Sequence, residues 1–352
     1  MLDSLFFANS RAEKYYDDPH YNIWKFPAKP EAGKPQEKPI VLNYSIMTRA
    51  YGACFNDDSF IDIFNHHGFD VYLMDWGKDF PAAITGWRLD DLAGKLHDAV
   101  KQLLEKYEVS QLNIFGICIG GLIVSHLINM RPEPDYAARF HKIAYYGSPI
   151  LGARDLGMAQ VFSNFYKYAL PYRESGSYLN MPMGILDGLI MAGTSSAMLV
   201  QSWQEFWQEG PKTFLRLMAL SWDDRWIPFA AFMDLLQEAF ASQGVQDSAE
   251  EEQFHFTKPM DHTYFFNLVG DRDSLVMPSA SIVDWNSSAP NQFKKLNSSK
   301  PGFEQVIFPG GHFIFAQPGF RTIKDRLARW FKYYPHDLDN YPYGHSRHTR
   351  SI

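Results

Sequence analysis

Cysteine is scarce in this chain: Cys54 and Cys118 are the only two among 352 residues. Two thiols cannot build the disulfide framework of a small secreted scaffold, and such scarcity fits a reducing compartment. Long apolar runs are missing as well. No window reaches the ~18 residues of a membrane-crossing helix, so no transmembrane segment is expected. The opening stretch, MLDSLFFANSRAEKYYDD, places Asp3 before a four-residue apolar patch, which does not read as a secretory signal. Positive charge is in deficit, with 33 Lys and Arg against 40 Asp and Glu and a net charge of −7. That balance argues against a general nucleic-acid binder and gives no overall attraction to anionic substrates. A phosphate-bearing ligand would need local cations. No G-x-G-x-x-G follows a strand and no phosphate-binding loop is present, so no nucleotide cofactor is expected. His66 and His67 lack the Cys, His or Asp neighbours of a metal site, so no metal is expected either. A soluble, cytoplasmic protein is expected.

What the chain does have is a βα rhythm and a real core, with 46% hydrophobic residues. PIVLNY reads as a buried strand, and DDSFIDIFNHHG as a helix with an acidic start and a closing glycine. FDVYLMDW is the next strand. LDDLAGKLHDAVKQLLEKY sets Leu92, Leu96, Val100 and Leu103 on one helical face. QLNIFGI, GGLIVSHLINM and KIAYYGSP continue as strand, helix and strand. The rhythm stops near Leu151, gives way to an aromatic helical stretch, and resumes with YFFNLVG, EQVIFPG and RTIKDRLARWFKYY. Alternating strands and helices imply a mostly parallel sheet covered on both faces. The organisation expected is an N-terminal arm over 1–38, an α/β core over 39–150 and 257–335, a helical cap insertion over 151–256, and a loose tail over 336–352.

One stretch carries chemistry. In LNIFGICIGGLIVSHLI a strand enters Gly116, turns at Cys118 and leaves through Gly120 and Gly121 into a helix. This is the pattern of a nucleophile elbow, with a thiol where a hydrolase has a hydroxyl. Glycines flank the nucleophile because side chains there would collide with the turn or the sheet. The helix that follows aims its N-terminal amides and dipole at the sulfur, which favours a thiolate and an oxyanion. The alternative is a buried core cysteine. An elbow needs an acid and a base, which follow in the order nucleophile, acid, histidine. FFNLVGDRDSLVMP offers Asp271 and Asp273, with Asp273 favoured because it stands directly before SLVMP. FPGGHFIF places His312 on a glycine-led loop after the last strand, where a general base belongs. His126 reads as packed and Cys54 as a bystander.

These motifs together resemble the polyhydroxyalkanoate synthases, and within them the short catalytic subunit of the two-component type. The family's lipase-like box, G-x-C-x-G-G, matches Gly116 to Gly121. Its catalytic aspartate and following proline match DSLVMP at Asp273, and its histidine matches GGH at His312. GFDVYLMDWG is similar to the family's strand ending in D-W-G, LDDLAGKLHDAVKQLL to the helix before the box, and YSIMTRAYGACFND to its oxyanion loop. The cap segment around Trp222 to Pro228 is similar too. The resemblance implies an α/β-hydrolase fold and a Cys118, His312, Asp273 triad, with backbone oxyanion donors from Ile119 and the Met47 region. It implies an acyltransferase that polymerises an (R)-3-hydroxyacyl-CoA with release of CoA. The CoA thioester is then a substrate and no cofactor is implied. Arg49 is a candidate cation for CoA. The implied partners are the growing polyester chain or granule surface and a second synthase subunit, in a homodimer or hetero-oligomer, with the protein in the cytoplasm and at polyester granules. Two other readings stay open: a cysteine-dependent thioesterase or hydrolase of the same fold, and a non-catalytic granule-associated homologue.

Overall fold

Short apolar runs line up as strands in the computed structural model, which describes residues 11–18, 21–46, 50–54, 58–76, 86–130, 136–150, 158–173, 176, 180–182, 226–240, 263–273, 276, 278–281, 303–312, 320–334 and 350–351. The strands are β1 (Glu13–Asp17), β2 (Asn22–Phe26), β3 (Ile40–Asn43), β4 (Val71–Asp75), β5 (Leu112–Ile117), β6 (Phe140–Tyr146), β7 (Asn180–Pro182), β8 (Trp226–Pro228), β9 (Tyr264–Gly270), β10 (Phe303–Phe308) and β11 (Arg350–Ser351). The helices are α1 (Phe60–His66), α2 (Leu89–Tyr107), α3 (Ile119–Met130), α4 (Met158–Ala169), α5 (Phe229–Phe240), the single turn α6 (Pro278–Ser281) and α7 (Arg321–Tyr333).

Nine of these strands form one sheet in the order β1-β2-β4-β3-β5-β6-β9-β10-β11, and β7 pairs with β8 apart from it. From β4 across to β11 every pairing is parallel, whereas β1 with β2 and β2 with β4 run antiparallel. Every residue of β3, β4 and β5 is buried. Such strands need continuous apolar sequence because helices cover both faces of a parallel sheet. One core cluster joins the sheet to α2, α3 and α5, and the other joins it to α1 and α7.

Local sequence fixes the helix ends. Ser59 caps α1, its Oγ accepting the Asp62 N–H at 3.1 Å, and Gly68 closes that helix at φ 91°. In the first turn of α2 the Asp91 carboxylate accepts the Arg88 N–H at 2.8 Å. The buried face of α2 runs through Leu89, Leu92, Leu96, Val100 and Leu103, the stripe visible in the sequence.

The N-terminal segment, expected to be a lead-in arm, contributes two strands to the sheet edge. Tyr21, Ile23 and Phe26 are buried, and Trp24 Nε1 donates to Asp75 at 3.3 Å. Burial of those aromatic and β-branched side chains holds β2 against β4. Arg350–Ser351, within the tail expected to be loose, pairs with Val306 and Ile307 of β10. Of the expected cap, α4, α5, β7 and β8 are described and the remainder of 151–256 lies largely outside the described residues. α5 is tied to the core by Asp234, which accepts two 2.7 Å bonds from Arg88 and the Leu89 N–H at 3.1 Å. Arg173, after α4, donates to the same carboxylate at 2.5 Å. A nearly buried carboxylate so placed satisfies the start of α2 and two guanidinium groups at once. No helix among the described residues is long and apolar enough to cross a membrane.

Candidate active site

The chain runs from β3 outward to β4 and returns to β5 on the other side of β3. The C-terminal ends of strands at such a reversal form a crevice, the usual ligand position in an open parallel sheet. Cys118 stands there, between β5 and α3, at φ 55°. A non-glycine residue in the left-handed region carries about 1–2 kcal/mol of strain. Its backbone is held on both sides: the N–H donates to the Tyr146 carbonyl at 2.9 Å, and its carbonyl accepts the Gly121 N–H at 2.9 Å.

Three glycines make the turn possible. A Cβ on Gly116 would stand 2.5 Å from Gly121 Cα, and one on Gly120 would press within 3.0 Å of the Asn43 and Tyr44 carbonyl oxygens. One on Gly121 would meet Ser148 Cβ at 2.6 Å and the Tyr145 ring at 2.9 Å. The closeness is reinforced by Asn43, whose Nδ2 donates to the Gly120 carbonyl at 2.8 Å while its Oδ1 accepts the Trp76 indole N–H at 3.1 Å. β3, the tryptophan after β4 and the first turn of α3 are thereby locked together. Cys118 is partly buried and touches both core clusters.

His312 follows β10 and Asp273 follows β9. The structure brings them together: His312 Nδ1 lies 2.7 Å from Asp273 Oδ2, with side-chain exposures of 5% and 1%. Asp273 Oδ1 also accepts the Val276 N–H at 2.8 Å, which fixes the carboxylate. Nδ1 being engaged by Asp273 leaves Nε2 as the other polar atom of the ring, and Cys118 is near enough for its charge to act on the imidazole. Burial works against a charged imidazole. The Asp273 and Cys118 charges, with their hydrogen bonds, outweigh it and hold the His312 pKa well above its ordinary value. The buried Asp273 carboxylate thus favours the charged form of the His312 ring.

Asp271, the other carboxylate of the pair of candidates, is turned elsewhere. It is about half-exposed and accepts the Gly310 N–H at 3.1 Å, bracing the loop that leads to His312. Ile119 opens α3, so its N–H is among the amides with no partner inside the helix. Met47 and Arg49 lie outside the described residues. The other histidines weighed in the sequence are engaged away from this site: His67 with Asp325 at 2.7 Å, His126 with Asp90 at 2.6 Å, and His66 with Asp62 at 3.2 Å. Burial, then the Asp75 carboxylate, pushes the Cys54 thiol well above its ordinary pKa. Among the described residues no group of three or more His, Cys, Asp or Glu is placed to hold a metal ion.

Two residues at the site carry no motif. Tyr146, the last residue of β6, shares its single hydroxyl proton between the carbonyls of Gly311 at 2.8 Å and His312 at 2.5 Å. Gly147 follows at φ 51°, and a Cβ there would stand 3.0 Å from the His312 ring and 3.1 Å from Asp273 Oδ2. A glycine directly after a buried strand, in YYGSP, is the one sequence signal for this close approach.

No protein-family model matches the chain. Among curated proteins, the poly(3-hydroxyalkanoate) polymerase subunit PhaC of Allochromatium vinosum is 24% identical over 345 residues, covering 91% of this chain and 88% of that one. The subunit of the same name from Thiocystis violacea is 32% identical over 127 residues, 35% of each chain. The Synechocystis subunit of that name is 27% identical over 112 residues, 31% of this chain and 29% of its own. The resemblance read from the motifs is thus matched by relatives that all bear the polymerase-subunit name. Among solved structures, a monoglyceride lipase from Saccharomyces cerevisiae aligns with a TM-score of 0.55 at 13% identity, covering 91% of this chain and 93% of that one. A bromoperoxidase from Bacillus anthracis aligns at 0.51 and 16% identity, covering 92% and 100%. The fold is that of the α/β-hydrolases, as expected from the sequence.

Proposed function

We propose that this protein is a polyhydroxyalkanoate synthase-like acyltransferase that uses Cys118 as nucleophile, His312 as base and Asp273 as orienting acid. The observation that carries the reading is a thiol on a left-handed elbow beside a histidine whose Nδ1 meets a buried carboxylate at 2.7 Å. The polymerase-subunit name of the relatives supports the substrate class.

In this reading His312 takes the Cys118 proton and the sulfur attacks the thioester carbonyl of an (R)-3-hydroxyacyl-CoA. The oxyanion is held by the Ile119 N–H with a second donor from the Met47 region. The C–S bond to CoA breaks, and the departing CoA thiolate takes the proton from His312. The acyl group then sits on Cys118 as a thioester. Next, His312 accepts the proton of an incoming 3-hydroxyl, the oxygen attacks the acyl carbon, an ester forms and the Cys118 thiol is restored. The sulfur suits the task because exchange between thioesters is nearly isoenergetic, so the bound acyl group stays reactive toward an alcohol. Asp273 keeps the imidazole in the tautomer that can do both transfers. Arg49 is the proposed cation for CoA, and no cofactor is required. The protein works in the cytoplasm at the granule surface with a second synthase subunit, as a homodimer or hetero-oligomer.

Purified protein with 3-hydroxybutyryl-CoA, alone and with a second subunit, tests this. CoA release with insoluble polyester supports the proposal, and Cys118→Ala should abolish both. CoA release with only free hydroxy acid would make the protein a cysteine-dependent thioesterase, because the same triad can pass the acyl group to water. No release under any condition, unchanged in Cys118→Ala, would leave a non-catalytic granule-associated role.

A further inference from the structure

We infer that Tyr146 is a positioning residue that sets the His312 backbone, and with it the imidazole, against Cys118; the inference rests on the nucleophile and base roles proposed above. The loop to His312 runs Pro309, Gly310 and Gly311, and the two glycines next to the histidine have no side chains of their own to restrain their backbones. Something outside the loop must fix it. Gly310 is held by the Asp271 carboxylate at 3.1 Å and, through its carbonyl, by the Arg272 N–H at 3.0 Å. The next two carbonyls, those of Gly311 and His312, lie 2.8 and 2.5 Å from the Tyr146 hydroxyl and share its single proton.

Tyr146 also reaches the other half of the site. Its own carbonyl accepts the Cys118 N–H at 2.9 Å. One residue therefore bonds the backbones of both the thiol and the imidazole residues, and fixes the separation between them. The Asp273 bond acts on the imidazole ring, so it orients the ring but does not place the loop. The Tyr146 ring is fully buried and lies nearly parallel to the imidazole, with centroids 6.0 Å apart and planes at 23°. Phe60 at 5.9 Å and Phe308 at 6.2 Å hold that ring from other sides. A phenylalanine would thus keep the ring packing and lose the hydroxyl's contact with the two carbonyls. Proton transfer needs heavy atoms within hydrogen-bond reach, and misplacement on the order of 1 Å can cost about a hundredfold in rate.

The test is Tyr146→Phe in the full-length protein, with CoA release from 3-hydroxybutyryl-CoA measured against pH. The expected result is a kcat lower by about 10- to 100-fold with KM within about twofold. The alkaline limb of the profile should also move to lower pH. Asp273 and Cys118 hold the proton on His312, and an imidazole that drifts from them titrates nearer its ordinary value. Thermal unfolding of the variant records its folded fraction. Wild-type kcat and an unmoved limb would overturn the inference. So would a loss equal at every pH that tracks a lower folded fraction, since that marks a merely structural tyrosine. Cys118→Ala run alongside separates the two readings. If it still releases CoA, the nucleophile assignment falls and takes this inference with it; if it is inactive while Tyr146→Phe is normal, this inference alone falls.

Discussion

The turn that carries Cys118 is shaped by glycines within a few residues of it, whereas the loop that carries His312 is held by side chains far away in the chain. Around the thiol, a Cβ on Gly116 or Gly120 would collide with backbone of α3 or β3, and one on Gly121 with the Ser148 and Tyr145 side chains. Around the imidazole, the contacts come from Asp271 and Asp273, each bonding a residue 39 positions away, and from Tyr146, 166 positions away from His312. Steric necessity within a few residues writes itself into a motif. A loop pinned by distant side chains leaves no such record, because each pin is one ordinary residue on another strand. The nucleophile is thereby fixed by what cannot fit, and the base by what reaches it.

That contrast is sharpest at the two carboxylates of GDRD. Asp273→Asn should lower the rate of CoA release by about 10²- to 10⁴-fold, because the amide can hold neither the tautomer nor the charge on His312. Asp271→Asn should change it by about twofold, since an amide oxygen can still accept the Gly310 N–H. Steady-state assays of both variants decide this, and equal losses would break the assignment.

A smaller effect separates the glycines of the two segments. Gly120→Ala should cost about 1–3 kcal/mol in urea unfolding, since its Cβ meets the Asn43 carbonyl that cannot retreat without moving β3. Gly311→Ala should cost under about 0.5 kcal/mol, because among the described residues its Cβ meets only the Arg272 carbonyl, at 3.7 Å. A tolerated alanine at 120 would mean the turn is looser than its packing implies.

The smallest expected effect is a pH dependence of stability. The folded-state pKa of His312 lies above its ordinary value of 6.5, so the bound proton stabilises the fold. That contribution is complete below about pH 6.5 and is lost as pH rises through the folded pKa. The stability difference between wild type and His312→Gln should therefore be largest near pH 6 and shrink toward about pH 9. A difference that stays constant over that window would mean Asp273 and Cys118 do not hold a proton on the ring.

Much of the core was legible because burial on both faces demands unbroken apolar strands, as in IVLN, VYLMD and LNIFGI. The elbow was legible for the steric reason above, and the order of acid and histidine along the chain marked GDRD and GGH. The edge strands β1 and β2 were not, because NIWKF mixes lysine and tryptophan and lies near a proline-rich stretch. Its burial depends on β4, which the local sequence does not contain. Asn43 and Tyr146 were illegible for the same reason: each looks like an ordinary strand-end residue until the sheet places it beside α3 or the His312 loop.

The central claim is that Cys118 carries the acyl group. Rapid mixing with 3-hydroxybutyryl-CoA, acid quench and peptide mass spectrometry test it directly. The expected result is a 3-hydroxybutyryl adduct on the peptide containing Cys118, formed as CoA is released and absent from Cys118→Ala. CoA release with no adduct there, or an adduct that persists on Cys54 or any other residue in Cys118→Ala, would contradict it.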